Sequence, residues 1–313
     1  MVVHPYLPTR ADVLAAAARL GASIRRTPTL ELAGDELGVA GRVVLKLELL
    51  QHVGVFKARG ALNTLLSTAA PAAGVVAASG GNHGAAVAWA AARAGVPATI
   101  FVPGTSPELK VSRIRAYGAE VVVVDGYYPH ALAASRDWAA GRAVLEIHAY
   151  DLPSVVAGQG TVGLEVLDQV PDATALLVSC GGGGLYAGIA LASGADGPTV
   201  IPVEPERCPT LHTALAKGGP VPVDVSGVAA DSMGAAAAGD IAYAIASDRG
   251  EAPVLVPDDA IVAARRFLWE QCRVLAEPGG ATALAALVAG AFVPEPGDTT
   301  VVVVSGGNHP DIP

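Results

Sequence analysis

Eight short runs rich in Val, Ile and Leu recur along this chain, separated by Ala-rich stretches. They are VVLKLEL from Val43, GVVAAS from Gly74, PATIFVP from Pro97, EVVVVD from Glu120, LEIHAY from Leu145, ALLVS from Ala175, TVIPVE from Thr199 and TTVVVVS from Thr299. Most are apolar at nearly every position, the pattern of strands covered on both faces. Helices between such strands are what parallel pairing needs. The predicted class is α/β, built on parallel sheets with helices on both faces. Pro and Gly punctuate the connections, and no long polar linker marks a domain boundary.

Composition narrows the field. A chain of 313 residues has room for two domains, and 52% apolar against 16% charged residues leaves little material for disordered tails. The net charge of −9, with no Lys/Arg block, argues against nucleic acid and anionic membranes as partners. A small anionic ligand stays open, because a local site can oppose the global charge. Cys180, Cys208 and Cys272 are scattered, with neither a disulfide framework nor metal-type spacing, which fits a reducing cytoplasm. The N-terminal MVVHPYLPTR lacks the pattern of a signal peptide. Residues 173–195 carry no charge and are numerous enough to cross a bilayer. Four glycines split that stretch, however, so it reads as a buried strand and helix. Motifs for hydrolases, P-loops and zinc sites are absent, and no metal site is expected.

Four segments carry chemistry. In ELLQHVGVFKARGALNTLL, Lys57 stands between Phe56 and Ala58 at the start of an apolar helix. Such a lysine either snorkels its amine to water or, enclosed, loses basicity and becomes a nucleophile. In VVAASGGNHGAAVAWAAARAG, a strand ends at Ser79 and a helix begins near His83. The turn between them is either ordinary capping or an anion site at a helix N-terminus, with Asn82 as an added donor. In ALLVSCGGGGLYAGIALASG, Gly181, Gly182, Gly183 and Gly184 let the backbone approach a phosphate closely. In TTVVVVSGGNHPDIP, a buried strand delivers Ser305 to its carboxyl end, where ligands sit in open α/β sheets. The pentapeptide SGGNH occurs twice, from Ser79 and from Ser305, but the downstream flanks differ, so a duplication is not supported. A rival also exists. Gly182, Gly184 and Ala187, with Glu204 after the next strand, match a dinucleotide fingerprint and would suggest an NAD-dependent oxidoreductase. That rival leaves the Lys57 segment and both SGGNH copies unexplained.

Taken in order, the four segments resemble the fold-type II pyridoxal-phosphate enzymes, and among them the threonine/serine dehydratases and serine racemases. GVFKARGA is similar to the family's lysine motif, SGGNHGAA to its SxGNHG loop, CGGGGLYAG to its tetraglycine loop and VVVVSGGN to its terminal serine motif. HAYDLPSVVAGQGTVGLEVL, IPVEPE, AADSMGA and AEPGGATALAAL extend the likeness over nearly the whole chain. The resemblance implies two open twisted α/β domains like those of the tryptophan synthase β-subunit, with the cofactor in the cleft between them. It places a large domain at 1–70 and 153–313 and a small one at 71–152. It implies pyridoxal 5′-phosphate held by Lys57 as a Schiff base, with the same lysine moving the Cα proton. It assigns the phosphate to Gly181, Gly182, Gly183, Gly184 and Leu185, the ring's 3′ oxygen to Asn82, the pyridine nitrogen to Ser305, and the ring faces to Phe56 and Gly234. The substrate carboxylate falls to Ser79, Gly81, Asn82 and His83. Glu277 matches a family position near the site, without a role.

The implied activity is dehydration and deamination of L-threonine, L-serine or a similar β-hydroxy amino acid to a 2-oxo acid and ammonia, by a cytoplasmic homodimer. Alternatives within the family are an amino-acid racemase or a 3-hydroxyaspartate dehydratase. A relative that binds ligand without turnover is a third. Three departures bear on the choice. Gly80 stands where the family's racemases carry a serine that protonates the opposite face, which favours elimination over inversion. Val55 replaces the usual Ser before Phe-Lys. Glu204 matches a family cation ligand, but Thr210 falls where an aspartate is expected, and a lone carboxylate makes a poor cation cage. The chain ends soon after Ser305, so no isoleucine-sensing regulatory domain is expected.

Overall fold

The computed structural model describes residues 6–32, 36–68, 73–309 and 311–313. Its strands are β1 (Thr29–Leu32), β2 (Arg42–Lys46), β3 (Val75–Ala78), β4 (Ala98–Pro103), β5 (Glu120–Val124), β6 (Leu145–Glu146), β7 (Ala175–Ser179), β8 (Thr199–Pro205), β9 (Val254–Val256) and β10 (Thr299–Val303). They form a six-stranded sheet in the order β1-β2-β10-β7-β8-β9 and a four-stranded sheet in the order β5-β4-β3-β6. Every pairing is parallel except β1 with β2. The strand latest in sequence, β10, sits in the middle of the larger sheet, with Val302 opposite Leu45 on one side and Leu177 on the other. Val301, Val302 and Val303 are wholly buried, as a strand covered on both faces must be.

The α/β class holds, with particular corrections. The expectation of purely parallel sheets fails at β1, an antiparallel edge strand too short and polar to stand out in TLEL. β9 was equally unforeseen, being three residues long. VVLKLEL is a strand only to Lys46, because Glu48–Leu50 turns into a short 3-10 helix. LEIHAY is a strand only at Leu145–Glu146, and the rest bends so that the Ala149 carbonyl accepts from the Lys57 amine at 3.3 Å. The uncharged stretch at 173–195 is β7 followed by the helix Gly184–Ser193. No helix among the described residues is long and apolar enough to cross a membrane. The four-stranded sheet draws all its strands from residues 75–146, while the expected domain boundary at 70 and 71 lies outside the described residues.

The helix Lys57–Ser67 is fixed from two sides. It lies against the helix Pro153–Gln169 so closely that a Cβ on Gly158 would stand 2.7 Å from the Gly60 Cα. Its first turn also carries Arg59, which is almost wholly buried. Arg59 grips the Glu48 carboxylate with two nitrogens, at 2.7 and 2.8 Å, and reaches Glu165 at 2.7 Å. Glu165 also takes the buried Lys46 amine at 2.6 Å. Two cations and two carboxylates thus satisfy one another beneath the start of the helix, which is the condition for burying charge at all.

Candidate active site

Residues of interest gather at the carboxyl ends of the strands, where parallel sheets present their loops. β10 leads to Ser305, β7 to Gly181, β3 to Ser79 through Asn82, and β8 carries Glu204. Lys57 joins them by a backbone clasp. Val55 and Gly306 form an antiparallel bridge, Phe56 N–H donates to Ser305 O at 3.1 Å, and Gly307 N–H donates to Gly54 O at 3.0 Å. Lys57 therefore starts its helix beside the end of β10. Lys57 is half-buried, and the loss of water around its amine pushes its pKa down to about 8 against the pull of the Glu277 carboxylate. The ammonium lies 5.0 Å from the centre of the Phe56 ring.

The tetraglycine turn keeps its donors free. Among the described residues, no protein acceptor takes the N–H groups of Gly181, Gly182, Gly183, Gly184 or Leu185. Gly183 has φ 88°, a left-handed conformation that glycine adopts without strain. The glycines also answer to packing. A Cβ on Gly182 would overlap the Tyr150 ring, one on Gly183 would overlap Ala242, and one on Gly184 would stand 2.6 Å from the Tyr150 carbonyl. Close backbone approach is thus only part of why four glycines stand here. Five unpaired amides at the start of a helix form a cradle for a dianionic phosphate. With the Lys57 amine held at the end of β10 in the same sheet, these residues fit a cofactor that carries both a phosphate and an aldehyde.

Asn82 begins the helix Asn82–Ala94. Its amide nitrogen donates to Glu277 Oε1 at 2.7 Å, and its oxygen accepts from Asn308 at 2.8 Å. Asn308 also donates to Val53 O at 2.7 Å, and its own oxygen accepts from Arg113. The asparagines of the two SGGNH copies are therefore in contact. Asn308 thereby steadies Asn82. Val53 presents its carbonyl from φ 57°, a strained conformation for a β-branched residue. Glu277 gains a definite place: it is buried, its pKa is raised by that burial, it accepts from Asn82, and its charge acts on the Lys57 amine. Sequence gave no sign of the Asn82–Asn308 pairing, since a bond across more than two hundred residues leaves no local pattern.

The other expected residues fall as follows. His83 is buried, and its Nε2 bonds Ile147 O at 2.8 Å. Burial, with the Lys57 charge nearby, drops its pKa to about 3, so the ring is neutral and donates that bond. What His83 has left for an anion is its backbone N–H. Ser79 Oγ accepts from Gly81 N–H at 3.2 Å. Ser305 is buried, with its hydroxyl 3.4 Å from Gly279 O. Gly234 ends a short helix, and it is Met233, one residue earlier, that packs against Gly181.

Glu204 is occupied as a cap. Its carboxylate accepts from Leu211 N–H and His212 N–H, each at 2.8 Å, at the start of the helix Thr210–Lys217. It is therefore not free to hold a ribose, and the nicotinamide reading loses its acidic residue. Among the described residues, no cluster of three or more His, Cys, Asp or Glu is placed to hold a metal ion. Thr210 Oγ1 faces both Glu204 Oε1, at 2.9 Å, and the Gly181 carbonyl. One hydroxyl proton cannot serve two acceptors, and a proton on Glu204 completes the chain. Accordingly, burial raises the Glu204 pKa from 4.5 to about 7, despite the donors that oppose the rise. The folded pKa exceeds the unfolded one, so the contribution to stability is full below about pH 4.5 and is lost as pH rises through 7. Glu204→Gln should abolish this dependence. The melting temperature of the variant should gain on that of the wild type between pH 5 and 8, by an amount equivalent to about 3 kcal/mol. Parallel pH curves for the two proteins would show that Glu204 does not titrate in this window.

Comparison with known proteins gives the same picture. Residues 21–306 match the family model described as pyridoxal-phosphate dependent enzyme. The L-threonine ammonia-lyase of Geobacter sulfurreducens is 41% identical over 296 residues, covering 93% of this chain and 73% of that protein. The serine racemase of Oryza sativa subsp. indica is 31% identical, over 97% of this chain and 92% of its own. The crystal structure of the T.th. threonine deaminase superposes with a TM-score of 0.90 at 36% identity, covering 98% of this chain and all of that one. The chain belongs to the fold-type II pyridoxal-phosphate dependent enzymes, as a relative of the threonine dehydratases and serine racemases.

Proposed function

We propose that the protein is an ammonia-lyase that dehydrates and deaminates L-threonine, L-serine or a closely related β-hydroxy amino acid. The observation that carries this reading is the setting of Lys57: a half-buried amine of depressed pKa, held by backbone bonds beside a strand end that offers the neutral hydroxyl of Ser305 rather than a carboxylate. When bound, pyridoxal phosphate supplies the electron sink that makes the Cα proton removable. Lys57 holds the cofactor covalently and moves the Cα proton. Gly181, Gly182, Gly183, Gly184 and Leu185 give their free N–H groups to the phosphate. Asn82 has one amide N–H left after Glu277 and donates it to the ring's 3′ oxygen. Ser305 would be the partner of the ring nitrogen, and a hydroxyl there, unlike a carboxylate, would supply no charge to hold that nitrogen protonated. Phe56 and Gly234 would flank the ring. Ser79, Gly81, Asn82 and His83 receive the substrate carboxylate at the helix start.

In the same reading, residues 1–70 and 153–313 form the large domain and 71–152 the small one, supported by the strands of the four-stranded sheet all lying within the latter span. A cytoplasmic homodimer completes it. The name of the relative at 41% identity supports threonine as substrate. The test is a panel of hydroxy amino acids, including 3-hydroxyaspartate, assayed for ammonia and 2-oxo acid. Equimolar amounts of the two from L-threonine or L-serine are expected. A yellow, cofactor-loaded protein giving neither product from any member would overturn the lyase reading in favour of a binding protein.

A further inference from the structure

Gly80 brings no side chain to the loop that carries Asn82, but another element fills its place. β4 ends at Pro103, and the turn after it closes with Ser106 N–H donating to Pro103 O at 2.9 Å. This turn sets the Ser106 side chain in the notch at Gly80. A Cβ built on Gly80 would overlap the Ser106 hydroxyl and stand 2.7 Å from the Ser106 Cβ. Ser106 is half-buried, and among the described residues its hydroxyl has no hydrogen-bond partner. The loop borders open space, since nothing lies within 4 Å of a Cβ built on Gly81. Asn82 follows at once and bonds Glu277, whose charge acts on the Lys57 amine. Lys57 is fastened through Phe56 to the end of β10 in the six-stranded sheet. Ser106 hangs from the four-stranded sheet. Ser106 and Lys57 are thus carried by different sheets, and the Gly80–Asn82 loop and Glu277 lie along the chain of contacts from one to the other.

We propose that Ser106 is a second proton-carrying catalytic residue, set against Lys57, and that through it the protein also inverts amino acids at Cα. The substrate class rests on the lyase reading above. A hydroxyl is both donor and acceptor, and a group acting from the side away from the base is what inversion requires. Lys57 takes the proton from Cα on its own side. On the other side, the Ser106 O–H bond breaks as a new C–H bond forms. Lys57 then holds one proton more and Ser106 one fewer, and water restores both. The net change is L to D, with no oxidant and no leaving group.

The test uses the holoenzyme and L-serine in D2O, following 2-oxo acid and, by chiral chromatography with mass detection, D-serine deuterated at Cα. The wild type should form the D-isomer. Ser106→Ala should lower the ratio of inversion to elimination by about 10²-fold. The double variant Gly80→Ser with Ser106→Gly moves the hydroxyl to the other loop and should restore the ratio to within about threefold, a small part of that loss. A cofactor-free readout tests the notch itself: Gly80→Ala should lower the melting temperature of the apoprotein by several degrees, and Ser106→Gly in the same chain should recover it. The proposal is overturned by a wild type that makes no D-isomer, by Ser106→Ala reducing both products in parallel, or by additive melting shifts. D-serine without any 2-oxo acid would remove the lyase reading and leave Ser106 in its role.

Discussion

Replacing Lys57 by alanine should lower the rate of 2-oxo acid formation by about 10³ to 10⁴-fold, equivalent to roughly 4–5.5 kcal/mol of barrier. The fold should survive, because among the described residues the amine's only hydrogen bond is to the Ala149 carbonyl. Borohydride reduction should fix the cofactor to the wild type at Lys57 and leave none on the variant after denaturation, as read by mass spectrometry. The same lysine predicts a pH dependence. Only the neutral amine attacks an aldehyde, and burial brings its pKa down to about 8. Capture of pyridoxal phosphate by the apoprotein should therefore climb as pH rises through 8, where an ordinary lysine would need a pH near 10.5. A Lys57→Ala protein that still binds the cofactor covalently would mean that another lysine is the tether.

The largest loss of stability should come from Arg59→Met. The methionine fills much of the space but leaves Glu48 wholly buried without the guanidinium that pairs with it, and with only the more distant Lys46 charge to oppose its own. Breaking a buried pair from one side costs about 3–5 kcal/mol, chiefly through the stranded charge. In a chain of this size, that is roughly 5–10 °C in melting temperature. Adding Glu48→Gln to Arg59→Met should recover part of the loss, since the stranded group is then neutral. A fall of under about 1 kcal/mol in the single variant would show that water reaches Glu48 and that the network is weaker than its geometry implies. Cofactor retention should fall together with stability, because Arg59 lies two residues beyond Lys57 on the same helix.

The sheets were legible where strands are covered on both faces, because full burial writes itself as unbroken apolar runs such as ALLVS and TTVVVV. They were illegible at β1 and β9, whose three or four residues carry too little pattern to separate from loop. The site was legible where chemistry demands a rare composition, as in four successive glycines. Even there, the reason was incomplete, since Tyr150 and Ala242 need those glycines as much as a phosphate would. The partnerships were not legible. Asn82 with Asn308, Arg59 with Glu48 and Glu165, and Ser106 with Gly80 are meetings that only the folded chain arranges. The identity of Gly80 alone argued against inversion, and it is the neighbour filling its notch that reopens the question.

The place of β10 between β2 and β7 has a consequence for how the protein is born. A ribosome adds roughly 5–20 residues each second, so ten to fifty seconds separate the emergence of β2 from that of the strand it must pair with. The smaller sheet, drawn from one continuous span, can close during that wait. β2 cannot, and it offers an unpaired edge to any neighbouring nascent chain until residue 303 is clear of the exit tunnel. Lys57, although made early, stays without Ser305 at the end of β10 for the same interval. Holoenzyme is therefore a product of completed chains, and slowed translation late in the message should be felt as aggregation rather than as a partly active fragment.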